Sequence, residues 1–231
     1  MKRPTVVMIP GTLCDERVFD RQKRALRGLA DVLVLDYRKL DCLEVWAPKV
    51  LRSLPPRFSL AGFSLGGLWA LELLRLAPER VERLAMIASN AQAANATGKR
   101  KSARLRHLWC EQGPAAVARQ VKPAYFHHER CRRQHASLVH DMAIKTSRKA
   151  AFAEFAWAAM RPDGRAALTS FGGHVLLVSG ARDRLCPPLW QRAMLAAQPH
   201  ATWLELPRVG HFIPLEAGAR LNQALLGWMR S

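Results

Sequence analysis

The sequence predicts an α/β fold in which a mostly parallel sheet carries helices on both faces. Short unbroken runs of apolar and β-branched residues alternate with helical segments along the 231 residues. A strand that is apolar at every position is buried on both faces, as in parallel sheets whose connections are helices. The predicted strands lie at residues 5–9, 32–35, 58–61, 84–87, 174–179 and 202–206.

Helical segments are predicted between these strands. Asp15 is a candidate N-cap for a helix that extends to about Leu29, and Asp41 with Glu44 forms a candidate capping box for the next helix. Further helices are predicted over 65–77, 188–197 and 216–229.

The alternation stops for one long stretch. From Ala91 to Arg161 the sequence has helical periodicity and no strand pattern, with Phe152 and Phe155 among the recurring apolar residues. The length fits one domain with an insertion better than two domains. We therefore predict a core formed by residues 1–90 and 162–231, interrupted by a helical cap over 91–161.

The turn after the third strand contains the pattern Gly-x-Ser-x-Gly, formed by Gly62, Ser64 and Gly66. A sharp strand-to-helix turn holds its serine in a strained conformation, with the hydroxyl clear of the sheet. A Cβ atom at position 62 or 66 would collide where the two backbones come close. The pattern predicts Ser64 as a nucleophile; the alternative is an ordinary turn with a capping serine.

A serine needs a base to take its proton, and the base needs an acid that orients it. Asp183 follows the strand at 174–179, and His211 follows the last strand. Both positions lie at carboxyl ends of strands, where open α/β sheets have their sites. Asp36 also ends a strand, but it precedes Ser64, and we interpret it as a structural residue.

The oxyanion of the reaction needs two backbone N–H groups. One is predicted at Leu65, the residue after the nucleophile, at the start of a helix. The second should come from the loop after the first strand, where we choose Thr12 and keep Leu13 as the alternative.

These motifs resemble those of serine α/β-hydrolases with a helical cap, over essentially the whole chain. The resemblance implies cleavage of a carboxylic ester or thioester through an acyl-enzyme, with Ser64, His211 and Asp183 as catalytic residues and without a metal or organic cofactor. Two other activities stay open: a non-enzymatic ligand receptor, and a C–C bond hydrolase or acyltransferase. The chain departs from the family at Pro10-Gly11, where members usually have His-Gly.

The charge of the chain is strongly basic. The net charge is +18, and residues 91–161 hold fourteen Lys and Arg against four acidic residues. The resemblance implies a small ester or acyl compound as the substrate. A basic rim steers anionic partners, so acyl carrier protein or a CoA ester is a candidate carrier of that substrate. The layout is similar to that of pimeloyl-[acyl-carrier protein] methyl ester esterases. The alternative is a compositional bias towards arginine. Nucleic acid is not expected, because no recognition motif is present.

The cysteines and the apolar runs bear on location. The five cysteines are odd in number and form no Cys-x-x-Cys motif, which predicts free thiols, no metal site and a reducing compartment, the cytoplasm. The first apolar run, residues 6–9, is too short for a signal peptide, and none approaches the ~18 residues of a membrane span.

Overall fold

A six-stranded parallel sheet forms the centre of the molecule. The computed structural model describes residues 3–36 and 43–231 of the chain. The strands are β1 (Thr5–Ile9), β2 (Asp31–Val34), β3 (Phe58–Phe63), β4 (Val81–Ile87), β5 (His174–Gly180) and β6 (Thr202–Leu206). Their order across the sheet is β2-β1-β3-β4-β5-β6, and every neighbouring pair is parallel. The predicted fold class is confirmed.

Helices cover both faces of this sheet. They are α1 (Asp20–Leu26), α2 (Leu43–Ser53), α3 (Leu65–Leu76), α4 (Ala96–Gln120), α5 (Glu129–Ile144), α6 (Arg148–Met160), α7 (Arg165–Thr169), α8 (Pro188–Ala197), α9 (Ile213–Glu216) and α10 (Gly218–Arg230). Successive residues of β1 show the two faces. Val6 and Met8 pack in one apolar cluster with α1 and α10, whereas Val7 and Ile9 pack in another with α2 and α3.

Helices α4, α5 and α6 lie between β4 and β5 in the chain, and we call residues 91–161 the helical insertion. Helix α4 is kinked at Gly113, whose φ of +74° and neighbouring Pro114 interrupt the helical backbone. The insertion has an apolar cluster of its own, which includes Trp109 and Phe155. The division of the chain into domains at residues 90 and 161 stays a prediction.

Two helix boundaries differ from those predicted. The segment after Asp15 begins as a 3-10 turn, because the Asp15 side chain accepts from the N–H of Arg17, and α1 starts only at Asp20. The closing helix is broken at Ala217, so that Glu216 ends the short helix α9. The capping box cannot be compared, because Asp41 lies outside the described residues. Within the described ranges, no helix is both long and apolar enough to cross a bilayer.

Candidate active site

Ser64 lies at the sharp turn between β3 and α3, in a backbone conformation that residues other than glycine rarely adopt. Its φ and ψ are +54° and −117°. The turn is tied to β4, because the N–H of Ser64 donates to Ile87 O at 2.9 Å and the hydroxyl of Ser89 donates to Ser64 O at 2.8 Å. These two bonds hold the strained turn in place.

The glycines of the turn are required by close backbone contacts. A Cβ at Gly62 would lie 2.4 Å from the carbonyl oxygen of Gly66, and a Cβ at Gly66 would lie 2.0 Å from Ile9 O. Both distances are far below any real contact, and backbone atoms cannot move aside cheaply. The sequence-based explanation of these glycines is therefore confirmed by the structure.

His211 connects Ser64 to Asp183. Its Nε2 lies 2.8 Å from the Ser64 hydroxyl oxygen, and its Nδ1 lies 2.8 Å from Oδ2 of Asp183. The histidine and the aspartate are 2% and 4% exposed. The structure thus brings together three residues that are far apart in the chain, at the carboxyl ends of three strands.

The carboxylate of Asp183 is fixed by its own loop. The N–H groups of Leu185 and Cys186 both donate to Oδ1 at 2.8 Å, which leaves Oδ2 for the imidazole. An ionised carboxylate only accepts hydrogen bonds, so Nδ1 of His211 carries the proton and Nε2 can accept one from Ser64. This is the tautomer in which a histidine acts as a base towards a serine.

The loop that carries His211 is held by the helical insertion. The N–H of His211 donates to Tyr125 O at 2.7 Å. The carboxylate of Glu216 accepts from Gly210 N at 2.7 Å and from the N–H groups of His127 and His128 at 2.9 and 2.6 Å. One carboxylate therefore joins the histidine loop to the insertion.

Two N–H groups are predicted to stabilise an oxyanion, those of Thr12 and Leu65. The loop after β1 approaches Ser64 closely, since a Cβ at Gly11 would lie 3.1 Å from the Ser64 Cβ. The alternative donor, Leu13 N–H, is occupied, because it donates to Oε2 of Glu154 at 2.7 Å. Thr12 N–H and Leu65 N–H, at the start of α3, are not used in hydrogen bonds among the described residues.

The model of the Alpha/beta hydrolase family matches residues 6–224. This chain belongs to the alpha/beta hydrolase family.

Two curated proteins are similar to this chain over part of its length. The chain is 30% identical over 182 residues to the dihydrolipoyllysine-residue acetyltransferase component of acetoin cleaving system of Pseudomonas putida, covering 74% of this chain and 45% of that protein. It is 33% identical over 100 residues to the biotin biosynthesis bifunctional protein BioHC of Cellvibrio japonicus (strain Ueda107), covering 40% of this chain and 20% of that protein. The chain thus spans less than half the length of both curated relatives.

The same fold is present in solved structures. The crystal structure of the enol-lactonase from Burkholderia xenovorans LB400 superposes with a TM-score of 0.88 at 21% identity, covering 100% of this chain and 93% of that chain. At this identity the likeness shows the alpha/beta hydrolase fold.

Two ionisable side chains of this alpha/beta hydrolase are perturbed beside the site. Burial, with smaller effects of Cys186, Asp183 and Cys14, raises the pKa of Tyr125 to about 12. Burial and the carboxylate of Asp183 raise the pKa of the Cys186 thiol well above its usual value, although the charges of Arg161 and Lys101 act in the opposite direction. Both groups are therefore neutral at neutral pH.

One group of described residues could approach a metal ion. Ligand atoms of Asp183, Cys186 and His211 lie within 4.8 Å of one another, and all three residues are buried. In the structure Oδ2 of Asp183 and Nδ1 of His211 are hydrogen-bonded to each other, and the thiol is held protonated. An ion would have to break that bond and remove the thiol proton. The expectation that the site needs no metal stays a prediction.

Sequence reasoning missed four side chains around this site. They are Lys122, Tyr125, Glu154 and Glu216, and the first three lie in the helical insertion. Nothing local distinguishes them, because each acts on a residue far away in the chain. Asp36, in contrast, is exposed after the edge strand β2.

Proposed function

We propose that this protein is a serine hydrolase that cleaves a carboxylic ester or thioester through an acyl-enzyme. One observation carries the proposal: Nε2 of His211 lies 2.8 Å from the hydroxyl of Ser64 while Nδ1 lies 2.8 Å from Asp183. The strained turn at Ser64 adds to it, because this conformation exposes the hydroxyl at the edge of the sheet.

In the first half of the reaction, Ser64 becomes acylated. Its Oγ attacks the carbonyl carbon of the substrate, and its proton passes to Nε2 of His211. The carbonyl oxygen becomes an oxyanion, which the N–H groups of Thr12 and Leu65 stabilise. When the tetrahedral intermediate collapses, the bond to the leaving group breaks and His211 returns the proton to the departing alcohol or thiol.

In the second half, water replaces the leaving group. His211 takes a proton from the water, whose oxygen attacks the acyl carbon bound to Ser64. The bond to Oγ breaks, Ser64 recovers its proton and the carboxylic acid leaves. Asp183 stays ionised throughout, because it orients the imidazole and stabilises the imidazolium that forms twice.

Acyl transfer is the second candidate, since an acyl-enzyme also reacts with nucleophiles other than water. It is favoured by the similarity to a protein named as an acetyltransferase component. The enol-lactonase with the same fold favours hydrolysis, because a lactone is a cyclic ester. C–C bond hydrolysis stays an alternative for which no described contact argues.

The basic surface of the helical insertion supports an anionic or carrier-bound acyl substrate. Lys99, Arg100 and Lys101 are exposed at the start of α4. Burial raises the pKa of the Cys186 thiol, which lies beside Asp183, and the charge of Lys101 acts against this rise, so the cluster is near the site. The similarity to a biotin biosynthesis protein, BioHC, agrees with the resemblance to pimeloyl-[acyl-carrier protein] methyl ester esterases. Location in the cytoplasm stays a prediction; the four described cysteines are free thiols.

A direct test is to trap the acyl-enzyme. The purified protein is mixed separately with p-nitrophenyl acetate, butyrate and octanoate, and each reaction is quenched in acid. The protein is then digested, and the mass of the peptide that contains Ser64 is measured by mass spectrometry. We expect a burst of nitrophenol and an acyl group on Ser64. Addition of an alcohol or thiol then separates hydrolysis from acyl transfer by the product formed. Stoichiometric release followed by tight retention of the product would instead identify a ligand receptor.

A further inference from the structure

The peptide unit that joins Thr12 to Leu13 is held at both ends by charged side chains of the helical insertion. The ammonium of Lys122 donates to Thr12 O at 2.5 Å, and Leu13 N–H donates to Oε2 of Glu154 at 2.7 Å. Lys122 follows α4, and Glu154 lies in α6. Two separate parts of the insertion thus contact one peptide plane in the loop beside Ser64.

Both charged side chains are buried, which makes their presence costly. Lys122 and Glu154 are 5% and 1% exposed. Buried charges lose their hydration, and well-packed apolar residues of similar size often stabilise a fold as well or better. The Lys122 ammonium gains some compensation from the rings of Tyr125 and Phe212, whose centroids lie 5.7 and 5.5 Å away. Stability alone does not account for a buried lysine and a buried glutamate on one peptide.

Other contacts bind the same loop to the insertion. Leu13 has a φ of +54°, a strained value for a branched side chain, and it is buried in the insertion's own cluster against residues such as Trp109 and Phe155. The N–H of Asp15 donates to Sδ of Met142 at 3.5 Å. The loop after β1 is therefore shaped by the insertion as much as by the sheet that carries it.

The clamped peptide is adjacent to the proposed oxyanion donor. Thr12 N–H belongs to the preceding peptide, and the orientation of that N–H relative to the held Thr12–Leu13 peptide depends on φ and ψ of Thr12. The bond to Glu154 also occupies Leu13 N–H, which leaves Thr12 N–H as the available donor of the two candidates. We propose that Lys122 and Glu154 are positioning residues, which preset the oxyanion hole by fixing the Thr12–Leu13 peptide. This inference rests on the proposed hydrolase function.

Three single variants test the inference through the split between kcat and KM. Lys122→Met removes the donor, and Glu154→Leu removes the acceptor, at similar side-chain size. We expect each to lower kcat for a p-nitrophenyl ester by about 10- to 100-fold with little change in KM, because an oxyanion contact acts in the transition state. Glu154→Gln keeps an oxygen that can accept from Leu13 N–H, so it should retain most of kcat. Titration with a fluorophosphonate counts the active sites, so that a loss of folded protein is not scored as a loss of rate.

The double variant Lys122→Met/Glu154→Leu separates positioning from stability. It removes both buried charges together, and with them the cost of their desolvation, so it should melt no lower than the less stable of the two single variants. Its kcat should still be reduced by about the same factor as in the single variants. Both side chains fix the same Thr12–Leu13 peptide, so the second substitution adds little once the first has freed that peptide. A boronic acid inhibitor that mimics the tetrahedral intermediate should lose affinity in parallel with kcat.

Gln198→Leu is the matched control. Gln198 is also buried and donates from its amide to two backbone carbonyls, those of Leu168 and Phe171, away from the site. It should lower the melting temperature and leave kcat per active site unchanged. If Lys122→Met and Glu154→Leu keep the wild-type kcat per titrated site, the inference is overturned while the proposed hydrolase function is retained. A wild-type protein that turns over no ester would overturn the proposed function and the inference with it.

Discussion

His211 and Tyr125 are in direct contact twice: the N–H of His211 donates to Tyr125 O at 2.7 Å, and the two rings meet edge to face with centroids 5.4 Å apart. The base of the proposed mechanism is thus supported from the helical insertion as well as from Asp183. A histidine whose backbone and ring are both packed has little freedom to turn away from Ser64. This relationship connects the insertion to the proposed chemistry.

The hydroxyl of Tyr125 should affect stability in alkaline solution. The pKa of Tyr125 is raised to about 12, mainly by burial, whereas an unfolded tyrosine titrates near 10. Below pH ~10 both states keep the proton; between about 10 and 12 the unfolded chain releases it first, so stability falls as the pH rises, by at most about 3 kcal/mol. Tyr125→Phe should therefore lose less stability than wild type in chemical denaturation over this range. The tyrosinate absorbance that appears late in wild type should be missing from the variant, and its persistence would contradict the assignment.

Removal of the Glu216 carboxylate should loosen the histidine loop. Glu216→Ala leaves the N–H groups of Gly210, His127 and His128 without their acceptor, which should cost about 2–4 kcal/mol in denaturation experiments. The kcat should also fall, because His211 is the next residue after Gly210. Glu216→Gln keeps one acceptor oxygen, so its stability and its kcat should lie between those of Glu216→Ala and wild type. Glu205→Gln, at an exposed carboxylate in β6, is the control and should behave as wild type.

Asp183→Asn should impair the proposed ester hydrolysis severely while the fold is kept. The N–H groups of Leu185 and Cys186 will hold the amide oxygen where Oδ1 lies now, so the NH₂ group must face Nδ1 of His211. Nδ1 then becomes an acceptor, Nε2 carries the proton, and the histidine can no longer act as a base; a loss of about 10³- to 10⁴-fold in kcat is expected. Asp36→Asn should change the rate little. The reverse result would show that Asp183 is not the orienting acid.

The charge at the start of α4 should guide an anionic substrate. Replacing Lys99, Arg100 and Lys101 by Ser should lower kcat/KM for an acyl-CoA thioester by about tenfold at low salt, and added salt should narrow the difference, because exposed charges are screened. Turnover of a neutral p-nitrophenyl ester should not change.

The matched control for this cluster lies on α5. Arg130, Arg132 and Arg133 also form a cluster of three basic residues. Arg132 and Arg133 form ion pairs with Glu129, so the net electrostatic field of this cluster is weaker than that of the cluster on α4. Their replacement by Ser should have a smaller effect on the thioester. Equal small effects of both replacements, independent of salt, would indicate that the basic surface reflects composition alone.

The features predictable from the sequence are those set by local sterics and periodicity. The unbroken apolar runs predict buried parallel strands, and Gly62 and Gly66 predict a turn that only glycine can form. The positions of Asp183 and His211 follow from the rule that sites lie at carboxyl ends of strands.

The features that sequence reasoning missed depend on contacts between distant segments. Lys122 and Glu154 are residue types that usually lie on the protein surface. Both are nevertheless buried against the loop after β1, 110 and 141 residues away in the chain. The choice between Thr12 and Leu13 was open for the same reason. The bond from Leu13 N–H to Glu154 favours Thr12, which stays a prediction, and no periodicity within either segment indicates that bond.

The proposed chemistry centres on the hydroxyl of Ser64, so Ser64→Ala tests it most directly. The variant should melt as wild type does, because no other described residue depends on this hydroxyl except His211 through one hydrogen bond. We predict that hydrolysis of a p-nitrophenyl ester falls by about 10³-fold or more and that labelling by a fluorophosphonate probe disappears. A folded Ser64→Ala protein that still hydrolyses the ester near the wild-type rate would contradict the account.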